Sequence, residues 1–172
     1  MYITIETERL RIRPIHLKDT DFIIDLVNSE GWLKFIGDRN ISNRNDAKKY
    51  IQKILDNKDF YYNVFELKES KKAIGVVTLL KRKDEKYPDI GFALLPGFGK
   101  KGYTIEASKS YLEKIKNLNK YETIIAITAP DNQKSISLLQ KLGLKYTGDY
   151  KKENETLSYY SLKIKQPSGN KV

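Results

Sequence analysis

The chain has 172 residues, 40% of them hydrophobic and 31% charged, enough apolar material for one packed domain of roughly 100 to 200 residues. It has no cysteine and a single histidine, His16, which excludes a disulfide framework, a thiolate zinc site, a cysteine nucleophile and an ordinary imidazole metal cluster. The formal net charge of +10 favours polyanions, yet 26 of the 32 cations are lysines and only 6 are arginines, the residue suited to bidentate reading of phosphates and bases. A lysine-biased solvated surface accounts for that balance, and no dedicated nucleic-acid site is expected. No window approaches about 18 consecutive apolar residues, and the opening MYITIETERL carries charges where a signal peptide needs an apolar run, so the expectation is a cytoplasmic chain with no membrane association.

In chain order, residues 9–15, RLRIRPI, alternate charged and apolar side chains as a half-buried strand does, and Phe22, Ile23, Leu26 and Val27 then recur at helical spacing. Asn43 followed by Asp46 marks a helix start, with Ala47, Tyr50, Ile51, Ile54 and Leu55 lining one side of the helix that follows. Residues 60–67, 73–80 and 89–95 are β-rich runs joined by short polar connections, which predicts an antiparallel meander. Residues 104–118 carry Ile105, Ala107, Leu112, Ile115 and Leu118 at helical spacing, and TIIAIT at 123–128 is apolar enough for a strand buried on both faces. Residues 132–142 read as an amphipathic helix stopped by Gly143, with strands over 145–151 and 157–164 closing the chain. The predicted order is β-α-α-β-β-β-α-β-α-β-β in one domain, 1–165, with a disordered tail, 166–172 (QPSGNKV).

Two stretches carry chemistry. In residues 90–108, IGFALLPGFGKKGYTIEAS, a strand runs through Pro96 into a glycine-containing loop and directly into a helix. Gly97, Gly99 and Gly102 allow close backbone approach, Lys100 and Lys101 add positive charge, and the helix start offers unpaired N–H groups, so the segment reads either as a pyrophosphate cradle or as an ordinary flexible turn. Its spacing matches neither the P-loop nor the dinucleotide-binding glycine pattern. In residues 129–144, APDNQKSISLLQKLGL, a buried strand gives way to a helix that Asn132 can cap, with Ser135 three residues further on.

Strand, proline, glycine-bearing loop and helix, followed about thirty residues later by N-x-x-S and a K-L-G-L ending, resemble the GNAT N-acetyltransferases, and within them the group of ribosomal-protein N-terminal acetyltransferases (RimJ/RimL-like). The opening ETERLRIRPIHLKDTDFI, the segment WLKFIGDR at 32–39 and the strand around Gly75 fall in the order of that group. The resemblance implies a mixed α/β (α+β) GNAT fold, with about six or seven strands in a central sheet flanked by about four helices. It also implies acetyl-coenzyme A as donor, a primary-amine acceptor (a protein N-terminus or a small molecule), direct attack in a ternary complex, and a monomer or homodimer.

Residue by residue, the resemblance implies that the backbone of Phe92, Ala93 and Leu94 lines the pantetheine arm, with an N–H near Leu94 as oxyanion donor. The family loop pattern, Q/R-x-x-G-x-G/A, lies over 99–104, so Gly99, Lys100, Lys101, Gly102, Tyr103, Thr104 and Ile105 surround the pyrophosphate. Gly99 stands where Gln or Arg is usual, and Thr104 where a small residue is usual. Asn132 matches the asparagine that contacts pantetheine. The tyrosine acid of many relatives, seven residues after that asparagine, is here Leu139, which leaves Ser135 as acid, directly or through an ordered water. The glutamate base of some relatives, five residues before the asparagine, is Ile127, which leaves Asp89 and Glu66 as candidate bases. Trp32, Phe35, Tyr61 and Tyr62 are candidate walls of the acceptor pocket. A weakly equipped base favours an α-amine, whose pKa near 8 leaves about a tenth of it unprotonated at pH 7.

Two alternatives remain at this level. An aminoglycoside or polyamine acceptor requires Glu30, Asp38, Glu66 and Asp89 to converge into an acidic pocket. A non-catalytic coenzyme A-binding or RNA-associated accessory protein would account for the missing tyrosine and glutamate together with the basic charge.

Overall fold

The computed structural model describes residues 1–152 and 155–164; the expected tail, 166–172, lies outside the described residues. The chain begins with β1 (Ile5–Glu6) and β2 (Leu10–Pro14), followed by a short 3-10 turn (Leu17–Asp19) and the helices α1 (Thr20–Val27), α2 (Glu30–Phe35) and α3 (Arg44–Asp56). The meander β3 (Phe60–Leu67), β4 (Ala73–Leu80) and β5 (Asp89–Leu94) leads into α4 (Tyr103–Asn117), β6 (Thr123–Thr128), α5 (Gln133–Lys141) and the hairpin β7 (Lys145–Lys152) and β8 (Glu155–Lys163). Eight strands form one sheet in the order β1-β2-β3-β4-β5-β6-β8-β7.

The count corrects the expected six or seven strands and four helices: β1 and α2 are additional. Neither was legible for a physical reason. β1 has two residues, too few for an alternation, and forms because Thr7 turns the chain back, its N–H donating to Leu10 O at 2.9 Å. α2 has six residues, and a single side chain, Trp32, is its buried anchor. The longer elements follow their patterns. The Asn43 side chain caps α3 by accepting from the N–H groups of Asn45 and Asp46, and Ala47, Ile51 and Ile54 turn inward from it.

The sheet separates two apolar layers. On one face α1–α3 pack over β2–β4 around Ile15, Ile23, Trp32, Ile51, Val64 and Val76. On the other, α4 and α5 cover Leu10, Ile12, Phe65, Val77 and Leu79 through Tyr111, Leu112 and Leu139. Each such side chain contributes roughly 1.5–3 kcal/mol on full burial. The alternation along β3 decides which residue serves which layer: Val64 faces α1–α3 and Phe65 faces α4.

The sheet is continuous except between its centre strands. β4 and β5 pair over six consecutive positions, Gly75↔Leu94 to Leu80↔Asp89. β5 and β6 run parallel and register at one pair only, Asp89↔Ile125, where the Ile125 N–H donates to Pro88 O at 3.0 Å. Beyond that pair the strands part.

Candidate active site

The parting of β5 and β6 makes a wedge whose β5 wall is main chain. Leu95 N–H donates to Ile74 O across the β4 side, so by the alternation of an antiparallel ladder the N–H and C=O groups of Phe92 and Leu94 point the other way, into the wedge. Exposure follows the same division: Asp89 and Ile90 at the closed end are buried, whereas Phe92, Ala93 and Leu94 are half-buried.

The open end of the wedge is flanked by two helix starts. The loop 95–102 reaches α4 through left-handed backbone at Gly97 (φ 86°), Lys100 (φ 62°) and Gly102 (φ 79°). Gly102 occupies the cap position of α4 in that conformation, where a side chain would be strained. The Glu106 N–H is the first to find a helix partner, Gly102 O at 3.1 Å. Those of Gly102, Tyr103, Thr104 and Ile105 have no acceptor among the described residues. Lys100 and Lys101 are exposed beside them, and a Cβ at Gly99 would meet nothing within 4 Å.

Across the wedge, β6 ends at Thr128 and α5 begins after Asn132, whose side-chain oxygen accepts the Ser135 N–H at 3.2 Å. Asn132 and Ser135 are both half-buried on this first turn. Leu139, one turn further along, is 1% exposed in the core, so a leucine fills space where a tyrosine hydroxyl would serve relatives. Asp131 pairs with Lys34 at 3.6 Å, drawing α2 toward the mouth of the wedge.

At the closed end lies Asp89, 3% exposed. Arg82 grips its Oδ2 through Nε at 2.7 Å and Nη2 at 2.6 Å. Burial pushes the Asp89 carboxyl up to about 6, opposed by the Arg82 guanidinium and the Ile127 backbone N–H. Asp89 therefore sits beside Ile127, the position at which some relatives carry a glutamate. The Tyr159 hydroxyl, opposite Ile127 in the β6–β8 register, donates to Glu85 Oε2 at 2.9 Å and fastens the β4–β5 connection to β8. Burial, with the carboxylates of Glu85 and Asp89 close by, holds the Tyr159 phenol well above its ordinary range.

The other expected residues are dispersed. Glu66 is 5% exposed on β3, two strands away from the wedge, where Arg13 Nε donates to it at 2.8 Å and Arg11 approaches to 3.9 Å. Arg13 also binds both oxygens of Asp19, so Glu66 belongs to an ionic network that ties β2 to the start of α1. The four aromatics do not share a wall. Trp32 and Tyr62 are buried in the layer beneath α1–α3, whereas Tyr61 faces the opposite layer and donates its hydroxyl to Lys58 O at 2.7 Å. Phe35 remains half-buried at the end of α2, with Lys34 Nζ 4.7 Å from its ring centre. Sequence reasoning missed Arg82, Glu85 and Tyr159. They lie seven and four residues before Asp89 and seventy beyond it, and no local pattern links them.

Residues 9–145 match the family model described as an acetyltransferase (GNAT) domain. The uncharacterized N-acetyltransferase YnaD of Bacillus subtilis (strain 168) is 29% identical over 153 residues, covering 88% of this chain and 87% of that protein. The structure of a GNAT-family acetyltransferase from Bacillus anthracis superposes with a TM-score of 0.80 at 25% identity, covering 94% of this chain and 99% of that one. A RimL ribosomal L7/L12 α-N-protein acetyltransferase, solved in complex with coenzyme A, shares the fold with a TM-score of 0.81 at 14% identity, covering 94% and 98%. The family model spans the parted strands, both helix starts and the loop between them, and the chain belongs to the GNAT acetyltransferases.

Proposed function

We propose that this N-acetyltransferase carries an acetyl group from acetyl-coenzyme A to the α-amine of a protein N-terminus or to a small amine of similar pKa, in a ternary complex. The observation that carries the proposal is the wedge itself, with unpaired main-chain donors along one wall and a buried carboxylate at its apex. The residues fit the donor: four N–H groups without acceptors, two exposed lysines and no side chain at Gly99 suit a diphosphate, and an open strand edge suits the amides of a pantetheine arm. Acetyl-coenzyme A supplies an activated acetyl thioester. Phe92, Ala93 and Leu94 hold its arm as an added strand, and Gly99, Lys100, Lys101, Gly102, Tyr103, Thr104 and Ile105 surround its phosphates. The side-chain amide of Asn132 reaches the arm from the other wall.

The Leu94 N–H, aimed into the wedge, supports negative charge on the acyl oxygen. Asp89, about 16 Å along β5 from Leu94, takes the proton of the attacking amine through ordered water, since a carboxyl near 6 is ionised at neutral pH yet more basic than an ordinary aspartate. Glu66 is set aside as base because its carboxylate is held by arginines two strands away. The Ser135 hydroxyl protonates the departing sulfur. Phe35, at the end of the helix whose Lys34 lies 3.6 Å from Asp131, bounds the acceptor entrance, and Trp32 is set aside because it is buried in the layer beneath α1–α3. Glu66 and Asp89 are neutralised by Arg13 and Arg82, which leaves little free negative charge to gather a polycation. Nothing in the reading requires a membrane, and we assign the enzyme to the cytoplasm.

The test is thiol release from acetyl-coenzyme A over a panel of N-terminal peptides, their Nα-blocked lysine-containing counterparts, spermidine and an aminoglycoside. Turnover with free α-amines and none with the blocked peptides is the expected result. Turnover confined to polyamines or aminoglycosides overturns the acceptor class.

A further inference from the structure

The first turn of α4 is held from outside by the turn between β1 and β2, whose Arg9 also lies 4.6 Å from the centre of the Tyr103 ring. The turn between β1 and β2 carries Thr7 and Arg9, and both converge on Glu106. The Thr7 hydroxyl donates to Glu106 Oε1 at 2.6 Å and the Arg9 backbone N–H donates to the same oxygen at 3.0 Å. Arg9 Nε donates to Glu106 Oε2 at 2.7 Å, with Nη2 2.6 Å from that oxygen. Burial alone would raise the Glu106 carboxyl, but the Thr7 hydroxyl, the Arg9 N–H and the guanidinium outweigh it and hold it below the usual carboxylate range. The remaining arm of the fork, Arg9 Nη1, donates to the backbone carbonyl of Lys101 at 2.9 Å. The turn is itself anchored, since Lys68 donates through its N–H to Arg9 O at 3.0 Å and through Nζ to Thr7 O at 3.1 Å.

The contact with Lys101 O fixes the peptide plane that leads into Gly102. In a trans peptide the C=O and the following N–H point in opposite directions, and no peptide among the described residues is cis. A carbonyl drawn toward Arg9 therefore turns the Gly102 N–H away from Arg9, on the side where the Tyr103, Thr104 and Ile105 N–H groups are also unpaired. Gly102 fits the same arrangement: a Cβ there would approach Arg9 Nη2 to 3.4 Å. The Glu106 carboxylate, near the positive end of α4, would oppose a bound phosphate if it were not neutralised from behind.

From this geometry we infer that Arg9 is a positioning residue for the diphosphate of the donor: it acts through the Lys101–Gly102 peptide and touches neither donor nor acceptor. The inference rests on the reading of loop 95–102 as the diphosphate cradle. It places one determinant of donor affinity 92 residues upstream of the lysine whose carbonyl it holds.

The test compares wild type, Arg9→Ala and the double variant Arg9→Ala/Glu106→Gln by calorimetric titration with coenzyme A. Nuclear magnetic resonance titration with pantetheine, which lacks the diphosphate, accompanies it. Arg9→Ala removes the contacts with Glu106 as well, but it is the loss of the charged hydrogen bond to Lys101 O that should weaken coenzyme A binding, by about tenfold, with the pantetheine dissociation constant moving less than about twofold. The double variant should stay weak, since removing the Glu106 charge does not restore the grip on Lys101 O. Unchanged coenzyme A affinity in Arg9→Ala overturns the inference. Parallel loss of pantetheine binding overturns it too, as a general distortion, and so does recovery in the double variant, which would make the effect one of charge alone. Failure of the wild-type protein to bind coenzyme A would instead remove the cradle reading, and the inference with it.

Discussion

The two walls of the wedge are built from different materials. On the β5–α4 side the groups that face the wedge are main-chain N–H and C=O, aimed by left-handed backbone at Gly97, Lys100 and Gly102 and by the outward contact of Lys101 O with Arg9. On the β6–α5 side they are side chains, Asn132 and Ser135 on one helical turn. A main-chain wall keeps its donors under substitution and is broken only by changing the path of the backbone or by filling the space in front of it. A side-chain wall loses one function with each residue changed. Asp89 belongs to the junction, where the walls meet and its side chain is buried.

The largest expected effect is on the main-chain wall. Gly102→Asp combines a left-handed φ with a carboxylate that would compete for Arg9 and oppose the diphosphate, so coenzyme A affinity should fall by more than about a hundredfold in calorimetry. Affinity within tenfold of wild type would move the cradle elsewhere.

At the junction, Asp89→Asn should lower turnover by about a hundredfold or more and abolish an acidic limb of kcat/KM centred near pH 6. The stability effect has the opposite sense. The folded carboxyl is raised from 3.8 to about 6, so its contribution to stability is present below pH 4 and lost as the pH rises through 6. Thermal melts should therefore show wild type losing stability relative to Asp89→Asn between pH 4 and pH 6, by an amount on the order of a few kcal/mol. A variant that retains the pH 6 limb would take Asp89 out of the proton path.

On the side-chain wall, Ser135→Ala should reduce kcat by about tenfold while coenzyme A affinity changes less than about threefold. Full activity would end its role as acid, and a loss confined to affinity would make it a donor contact instead.

The smallest effect returns to the main-chain wall. Lys100 adopts φ 62° with a Cβ, so Lys100→Gly should raise the unfolding free energy by about 0.5–1 kcal/mol despite glycine's greater freedom when unfolded, measurable by urea denaturation. A destabilised variant would mean that the lysine stem packs against the loop closely enough to outweigh the strain.

Most of the fold was legible because its elements are long and periodic. The bounds of β3, β4 and β6 follow directly from runs of β-branched and aromatic residues between polar connections, and Asn43 and Asn132 cap the helices they were expected to start. The two-residue β1 and the six-residue α2 fall below the length at which a period registers, and both are held by tertiary contacts. The site divides along the same line. The loop read as a cradle stood out through glycines and lysines adjacent in sequence, and its left-handed backbone at Gly97, Lys100 and Gly102 is what the structure adds. Whether Asp89 or Glu66 stood at the wedge was undecidable, since each is an acidic residue in a β-rich run, and only strand order separates them by two strands.

The sequence by itself determined the class of the fold, the order of its long elements and the glycine-bearing loop that leads into α4, because those depend on contacts between near neighbours: periodicity, caps and turns. The tertiary structure decided where β5 and β6 part and that Asp89 rather than Glu66 lies at the apex. It also decided that Arg82 accompanies that carboxylate and that Arg9 reaches across to Lys101. These depend on groups brought together from distant parts of the chain, and a burial that shifts a carboxyl or a contact that turns one peptide exists only once the sheet has assembled.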